Sequence, residues 1–238
     1  MKQVIAMHGW SGDSNSWHKW SNQFKKNKWV WESAERGYGE IPSFTPQWNK
    51  ESLDDINSRR VVIAHSLGLH LINCEVLAKA TDLVLLGSFS RFIPSGRESR
   101  HVKLALQGMQ NCFGTIREKK MFQTFLAKAC HPEPISAIPL GPINRGLSVE
   151  GRKKLKSDFE ILIRTNQLPK GLMAQSRVLV VYGQEDSIVA HDTRDCLIED
   201  LKNHLDNPPT NWVIPRSGHL LLTAKLISKV QNWLGPYT

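Results

Sequence analysis

The sequence predicts a doubly wound α/β protein: a mostly parallel sheet with a helical cap inserted between two of its strands. Three observations predict it. Short, continuous apolar runs rich in β-branched residues recur along the chain, as strands buried on both faces of a parallel sheet require. Longer segments of helical period lie between them. The alternation stops over one central stretch, residues 92–170, and then resumes.

The strands are predicted at residues 4–7, 29–33, 60–65, 83–88, 178–183 and 212–215. Helical patterns fill residues 67–80, 192–204 and 220–234. The interrupting stretch holds Pro94, Pro132, Pro134, Pro139, Pro142 and Pro169, with helices expected over 117–130 and 148–166. Ser148 followed by Gly151 is a poor capping box, so the start of that second helix stays open. The expected organisation is a core domain of residues 1–91 and 171–238, with residues 92–170 as a helical cap.

A chain of 238 residues, 40% hydrophobic, suffices for one full core. There is no internal repeat and no low-complexity run. The opening apolar run is too short for a signal peptide, and nothing nears the roughly 20 apolar residues that cross a bilayer. A cytoplasmic monomer is the expectation. Cys74, Cys112, Cys130 and Cys196 are far apart, which suggests reduced thiols and neither a zinc site nor a redox motif. The net charge is +9, and its placement is informative. Residues 91–170 carry 15 Lys and Arg against 6 Asp and Glu, while the rest of the chain has 16 of each sign. Such a field attracts an anionic partner.

Ser66 stands in Ala64-His65-Ser66-Leu67-Gly68, between a predicted strand and a predicted helix. This is a G-x-S-x-G nucleophile elbow with Ala for its first Gly; the sharp turn needs small residues on both sides. A serine hydroxyl is a poor nucleophile without a base. Of nine histidines, His219 alone lies between the last predicted strand and the last helix. The acid that orients such a base should follow the preceding strand, and Asp186 does; Glu185 is its nearest competitor and Asp192 a weaker one. The order Ser, Asp, His is the one this arrangement requires. A developing oxyanion needs preorganised N–H donors. Leu67, directly after the nucleophile, and Trp10, in the loop His8-Gly9-Trp10-Ser11-Gly12 after the first strand, are placed to supply them. Trp17, Trp20, Trp29, Trp31, Trp48, Trp212 and Trp233 read as packing residues; only Trp10 has a positional reason to be in a site.

On these residues the chain resembles the α/β-hydrolase superfamily over nearly all of its length. Within it, the chain is most similar to the pimeloyl-[acyl-carrier-protein] methyl ester carboxylesterases of biotin synthesis. The resemblance rests on His8-Gly9-Trp10, Ser66-Leu67-Gly68, Phe125-Leu126-Ala127, Phe159-Glu160-Ile161-Leu162 and Tyr182-Gly183-x-x-Asp186. It implies a serine esterase, with no cofactor or metal, that cleaves the distal methyl ester of a pimeloyl chain held by thioester on acyl carrier protein. Trp10 and Phe125 would then contact the acyl chain. The chain departs from the family at Ala64, in its short start before His8-Gly9-Trp10, and over the Pro-rich stretch 130–148. An acidic carrier would meet the basic cap at Arg117, Lys119, Lys120, Arg152, Lys153 and Lys156.

Other readings are a hydrolase of another small ester, lactone or C–C bond, and a non-catalytic binding protein. A nucleic-acid reading of the charge finds no matching motif. A haloalkane dehalogenase would need Asp at position 66.

Overall fold

A computed structural model describes residues 1–221 and 224–235. The chain runs β1 (Lys2–Met7), a 3-10 turn at Ser14–Trp17, α1 (His18–Lys26), β2 (Val30–Ala34), α2 (Lys50–Asp54) and β3 (Arg59–His65). Two short helices follow, α3 (Gly68–Leu71) and α4 (Cys74–Leu77), and then β4 (Asp82–Leu86). Four helices separate β4 from the next strand: α5 (Glu98–Gln110), α6 (Glu118–Cys130), α7 (Pro142–Arg145) and α8 (Val149–Arg164), with a 3-10 turn at Ile135–Ala137. The chain ends with β5 (Arg177–Gly183), α9 (His191–His204), β6 (Thr210–Ile214) and α10 (Ala224–Leu234).

All six strands are parallel, in the order β2-β1-β3-β4-β5-β6. Alternate residues supply two cores. Val4, Ala6, Val61, Ile63, Val84 and Leu86 face Trp17, Trp20 and Phe24 on one side and Leu226, Ile227 and Val230 of α10. Ile5, Met7, Val62, Ala64, Leu83 and Leu85 face Leu69, Val76 and Leu77 with Leu197 and Leu201 of α9. The strand order reverses at β1, whose neighbours are β2 and β3. In open α/β sheets the crevice beyond the carboxyl ends of strands at such a reversal is where ligands bind. Met7 and Ala64 are paired in register there, so the loops after β1 and β3 leave the sheet side by side.

A third apolar cluster joins the cap helices to this edge. Trp10, Leu67 and Phe89 pack with Leu106, Met121, Phe122, Leu155 and Phe159. The polar ties are equally direct. The Arg36 guanidinium bonds to Asp158 of α8 at 2.7 Å, the Tyr38 hydroxyl donates to the same carboxylate at 2.6 Å, and Arg145 pairs with Asp13.

The predicted strands all form, and the local departures have physical causes. The single helix expected over 67–80 is broken between α3 and α4. Asn73 caps α4 instead of continuing α3: its side chain accepts from the Glu75 N–H at 2.8 Å, and Ile72 before it is extended. Ser148 does cap α8, accepting from the Gly151 N–H at 2.9 Å. The glutamate half of the capping box is missing, and Gly151 instead packs flat on the Tyr38 backbone, where no side chain would fit. The helix expected from residue 220 begins at Ala224; Leu220 and Leu221 are not helical, and residues 222 and 223 lie outside the described residues. Helices α1, α2, α5 and α7 have no counterpart among the predicted helices. Among the described residues no helix is long and apolar enough to cross a membrane.

Candidate active site

Strand β3 delivers Ser66 at its carboxyl end. Ser66 has φ 55°, a left-handed conformation that costs a residue with a Cβ about 1–3 kcal/mol. Its N–H is anchored to the Leu86 carbonyl at 2.8 Å. The surroundings explain the small residues of the motif. A Cβ on Gly68 would stand 2.6 Å from the Met7 carbonyl oxygen, and one on Gly9 would stand 3.0 Å from the Ser66 Cβ. Ala64 is fully buried between Met7 and Leu85 in the paired strands, where its single methyl fits.

The loop after β6 brings His219 to the same edge, where it is buried. Its Nδ1 bonds to Asp186 Oδ2 at 3.0 Å. The other oxygen of Asp186 accepts from the N–H groups of Ile188 at 2.8 Å and Val189 at 3.1 Å. Burial alone would raise the Asp186 pKa; the charge and hydrogen bond of His219, with those two N–H groups, outweigh it and hold it at about 2. Glu185 instead gives its backbone N–H to the Ser217 carbonyl, and Asp192 is exposed on α9. Asp186, the residue favoured by the sequence, is therefore the one that meets the imidazole. Gly87, at φ 55°, lies beneath the ring: a Cβ there would be 3.1 Å from His219 Nδ1.

Sequence reasoning passed over His65, the residue before the serine. Its Nε2–H donates to the His219 carbonyl at 2.9 Å, tying the end of β3 to the loop that carries His219. Burial, with the nearby His219 ring second, holds its pKa down at about 3, against 6.5 for a free imidazole. The unfolded chain therefore takes up this proton first. The resulting stability is complete above pH 6.5 and is lost as pH falls toward about 3, by up to about 1.4 kcal/mol per pH unit. Asp186, depressed from 3.8, acts in the same direction at still lower pH. Urea unfolding of His65→Gln, which keeps a donor but does not titrate, should show a flatter fall in stability between pH 6.5 and 4 than the native chain. Equal slopes would remove His65 as the cause.

No family model and no curated protein sequence matches the chain. Solved structures do. A bromoperoxidase from Bacillus anthracis superposes with a TM-score of 0.70 at 14% identity, over 99% of this chain and 92% of that one. An esterase from Exiguobacterium antarcticum gives 0.66 at 15% identity, over 99% and 92%. An α/β hydrolase, MGS-M2, from a Medee basin deep-sea metagenome library gives 0.67 at 13%, over 100% and 90%. The chain has the α/β-hydrolase fold. At these identities the likeness establishes the fold, and the chemistry rests on the residues.

In this hydrolase fold Ser66 and His219 line one cavity of about 1830 Å³ under the cap. Among the described residues neither Ser66 Oγ nor His219 Nε2 has a hydrogen-bond partner, and none accepts from the backbone N–H of Trp10 or Leu67. His8 braces the Trp10 loop from below: its Nδ1 meets the Gly9 carbonyl at 2.8 Å, and its Nε2 accepts from the Arg36 N–H at 3.3 Å. The Trp10 side chain is a fixed wall. Its indole N–H donates to the Leu155 carbonyl at 2.8 Å, and Phe125 meets its ring edge-on at 5.0 Å. Phe125, Phe92, Leu106, Met121 and Phe159 line the same cavity.

The six cap cations separate into groups. Arg117 and Lys120 line the cavity, while Lys119 and Lys156 are exposed elsewhere. Arg152 pairs with Glu118, and Lys153 with Glu150 as an exposed pair three residues apart on α8. Lys19, Lys128, Arg216, Lys225 and Lys229, which the sequence did not single out, also line the cavity. Among the described residues none of these five, nor Arg117 or Lys120, has a carboxylate partner, and Glu133 is the one acid in the lining.

Proposed function

We propose that this protein is a serine carboxylesterase with Ser66, His219 and Asp186 as its triad. One observation carries the reading: a serine at φ 55° shares a cavity with a buried histidine whose Nδ1 is bonded to an ionised, N–H-bound aspartate. Esterases among the proteins of similar structure support the reaction class through the fold alone.

In this reading Ser66 Oγ attacks the ester carbonyl as His219 Nε2 takes its proton. The N–H groups of Trp10 and Leu67 receive the oxyanion. Collapse expels the alcohol, which takes the proton from His219 and leaves an acyl-serine. Water, deprotonated by His219, then attacks, and the acid leaves with Ser66 restored. Asp186 holds the imidazole in the required tautomer and stays ionised throughout.

The finer reading is the methyl ester of a pimeloyl chain carried by acyl carrier protein, with methanol as the leaving alcohol. The chain's five or so methylenes, at roughly 0.8 kcal/mol each, gain up to about 4 kcal/mol in an apolar cavity walled by Trp10 and Phe125. The unpaired cations at the cavity give an acidic carrier a complementary surface. Turnover of purified protein on methyl esters, free and carrier-linked, tests this. Charge reversal by Arg117→Glu with Lys120→Glu should lower kcat/KM at least about tenfold more for the carrier-linked ester than for the free one. Raising salt from about 0.05 to about 0.5 M, which shortens the Debye length from about 14 Å to about 4 Å, should act on the native enzyme in the same sense. Parallel losses on both substrates, or no salt response, would leave a small-ester hydrolase with a basic rim.

A further inference from the structure

Arg194 stands in the first turn of α9 and is buried. Two features make it an expensive residue to keep there. A cation in the first turn of a helix opposes the helix dipole. A buried guanidinium also loses its hydration, and among the described residues no carboxylate pairs with it. Its donors go to backbone carbonyls: Nε to Val189 at 3.0 Å, Nη1 to Gly183 at 3.2 Å and Nη2 to Asp186 at 2.6 Å. Those three carbonyls bracket the loop that carries Asp186: Gly183 is the last residue of β5, and Asp186 and Val189 lie in the loop itself. The guanidinium also lies 5.4 Å from the centre of the Tyr182 ring, at the end of the strand that leads into this loop.

The geometry points to Arg194 as a positioning residue: its planar fork fixes the loop backbone that aims the Asp186 carboxylate at His219. The inference rests on the triad reading above. The loop spans only a few residues, and fastening it at both ends and at Asp186 itself leaves little freedom in the carboxylate's origin. The N–H groups of Ile188 and Val189 then fix one oxygen, so the other is presented to Nδ1. Lysine cannot replace this arrangement, because one ammonium does not reproduce three donors in a fixed plane.

Arg194→Met keeps the length of the side chain and removes the donors. It should lower kcat about 10- to 100-fold with little change in KM, since a misaimed dyad fails in the chemical step. Arg194→Lys should recover only part of the loss. A residue that merely stabilises the fold predicts something different. Its effect on kcat would be the same whether or not Asp186 is present. Positioning predicts that in an Asp186→Ala background Arg194→Met costs almost nothing further in kcat, while the fall in Tm is alike in both backgrounds. The proton NMR signal of His219 Nδ1–H, shifted downfield by its carboxylate bond, gives a readout that needs no turnover. It should persist in Ser66→Ala and be lost or move upfield in Arg194→Met. If Arg194→Met does not fold, Arg194→Lys and Arg194→Gln are read in the same two ways. Equal kcat losses in both backgrounds, or an unmoved Nδ1–H signal in a folded Arg194 variant, would overturn the proposal. Failure of the esterase reading itself would look different: Ser66→Ala would retain activity while the Nδ1–H signal still answered to Arg194.

Discussion

Ser66→Ala and His219→Ala should each lower kcat by roughly 10⁴–10⁶, because members of a triad act as a unit. The magnitude follows from what remains. With Ser66 gone there is no covalent route, although the apolar cavity and the N–H groups of Trp10 and Leu67 still bind and polarise the ester. With His219 gone the serine keeps its proton, and the leaving alcohol has no donor. The double variant should be scarcely worse than either single one. Folding is not at issue in Ser66→Ala: the anchoring bond to the Leu86 carbonyl uses the backbone N–H, and alanine retains the same Cβ contacts. Steady-state kinetics on a reactive ester, alongside thermal melting, checks both points.

Asp186→Asn should cost somewhat less, on the order of 10⁴ in kcat. The amide is nearly isosteric, so the loop and its bonds to Ile188, Val189 and Arg194 have reason to persist. Two things are lost. The negative charge no longer stabilises the imidazolium formed during attack, and an amide NH₂ facing Nδ1 favours the tautomer with its proton on Nε2, where the base is needed. Near-normal activity in this variant would move the orienting acid elsewhere, with Glu185 and Asp192 the first positions to replace.

The candidate site was legible because its signals are local. A sharp strand-to-helix turn demands small residues beside the serine, and Gly68 and Ala64 supply them. The histidine and aspartate follow the strands that carry them, so their order along the chain suffices. The six strands were legible for a related reason: parallel strands covered on both faces cannot alternate in polarity, and runs such as Val61-Val62-Ile63-Ala64 show it.

What escaped depends on contacts distant in sequence. Arg152 and Lys156 look like one free basic face at helical spacing. Yet Arg152 pairs with Glu118 from another helix, 34 residues away, and no periodicity within α8 announces that. The cations that do line the cavity come from α1, α6, the loop after β6 and α10, which only the folded sheet brings together. Arg194 escaped for a further reason. Its partners are backbone carbonyls, and a carbonyl leaves no trace in the sequence. The break at Asn73 was missed because apolar periodicity continues across it, while the cap is made by one side chain against one N–H group.

In the proposed reaction everything depends on Ser66 being a nucleophile activated by His219. Titration of the native protein with a fluorophosphonate, with the labelled peptide located by mass spectrometry, tests it most directly. One equivalent of label is expected, on Ser66, at a rate that collapses in His219→Ala, with no label in Ser66→Ala. A native protein that hydrolyses esters while Ser66 stays unlabelled, or that takes the label on another residue, would contradict it.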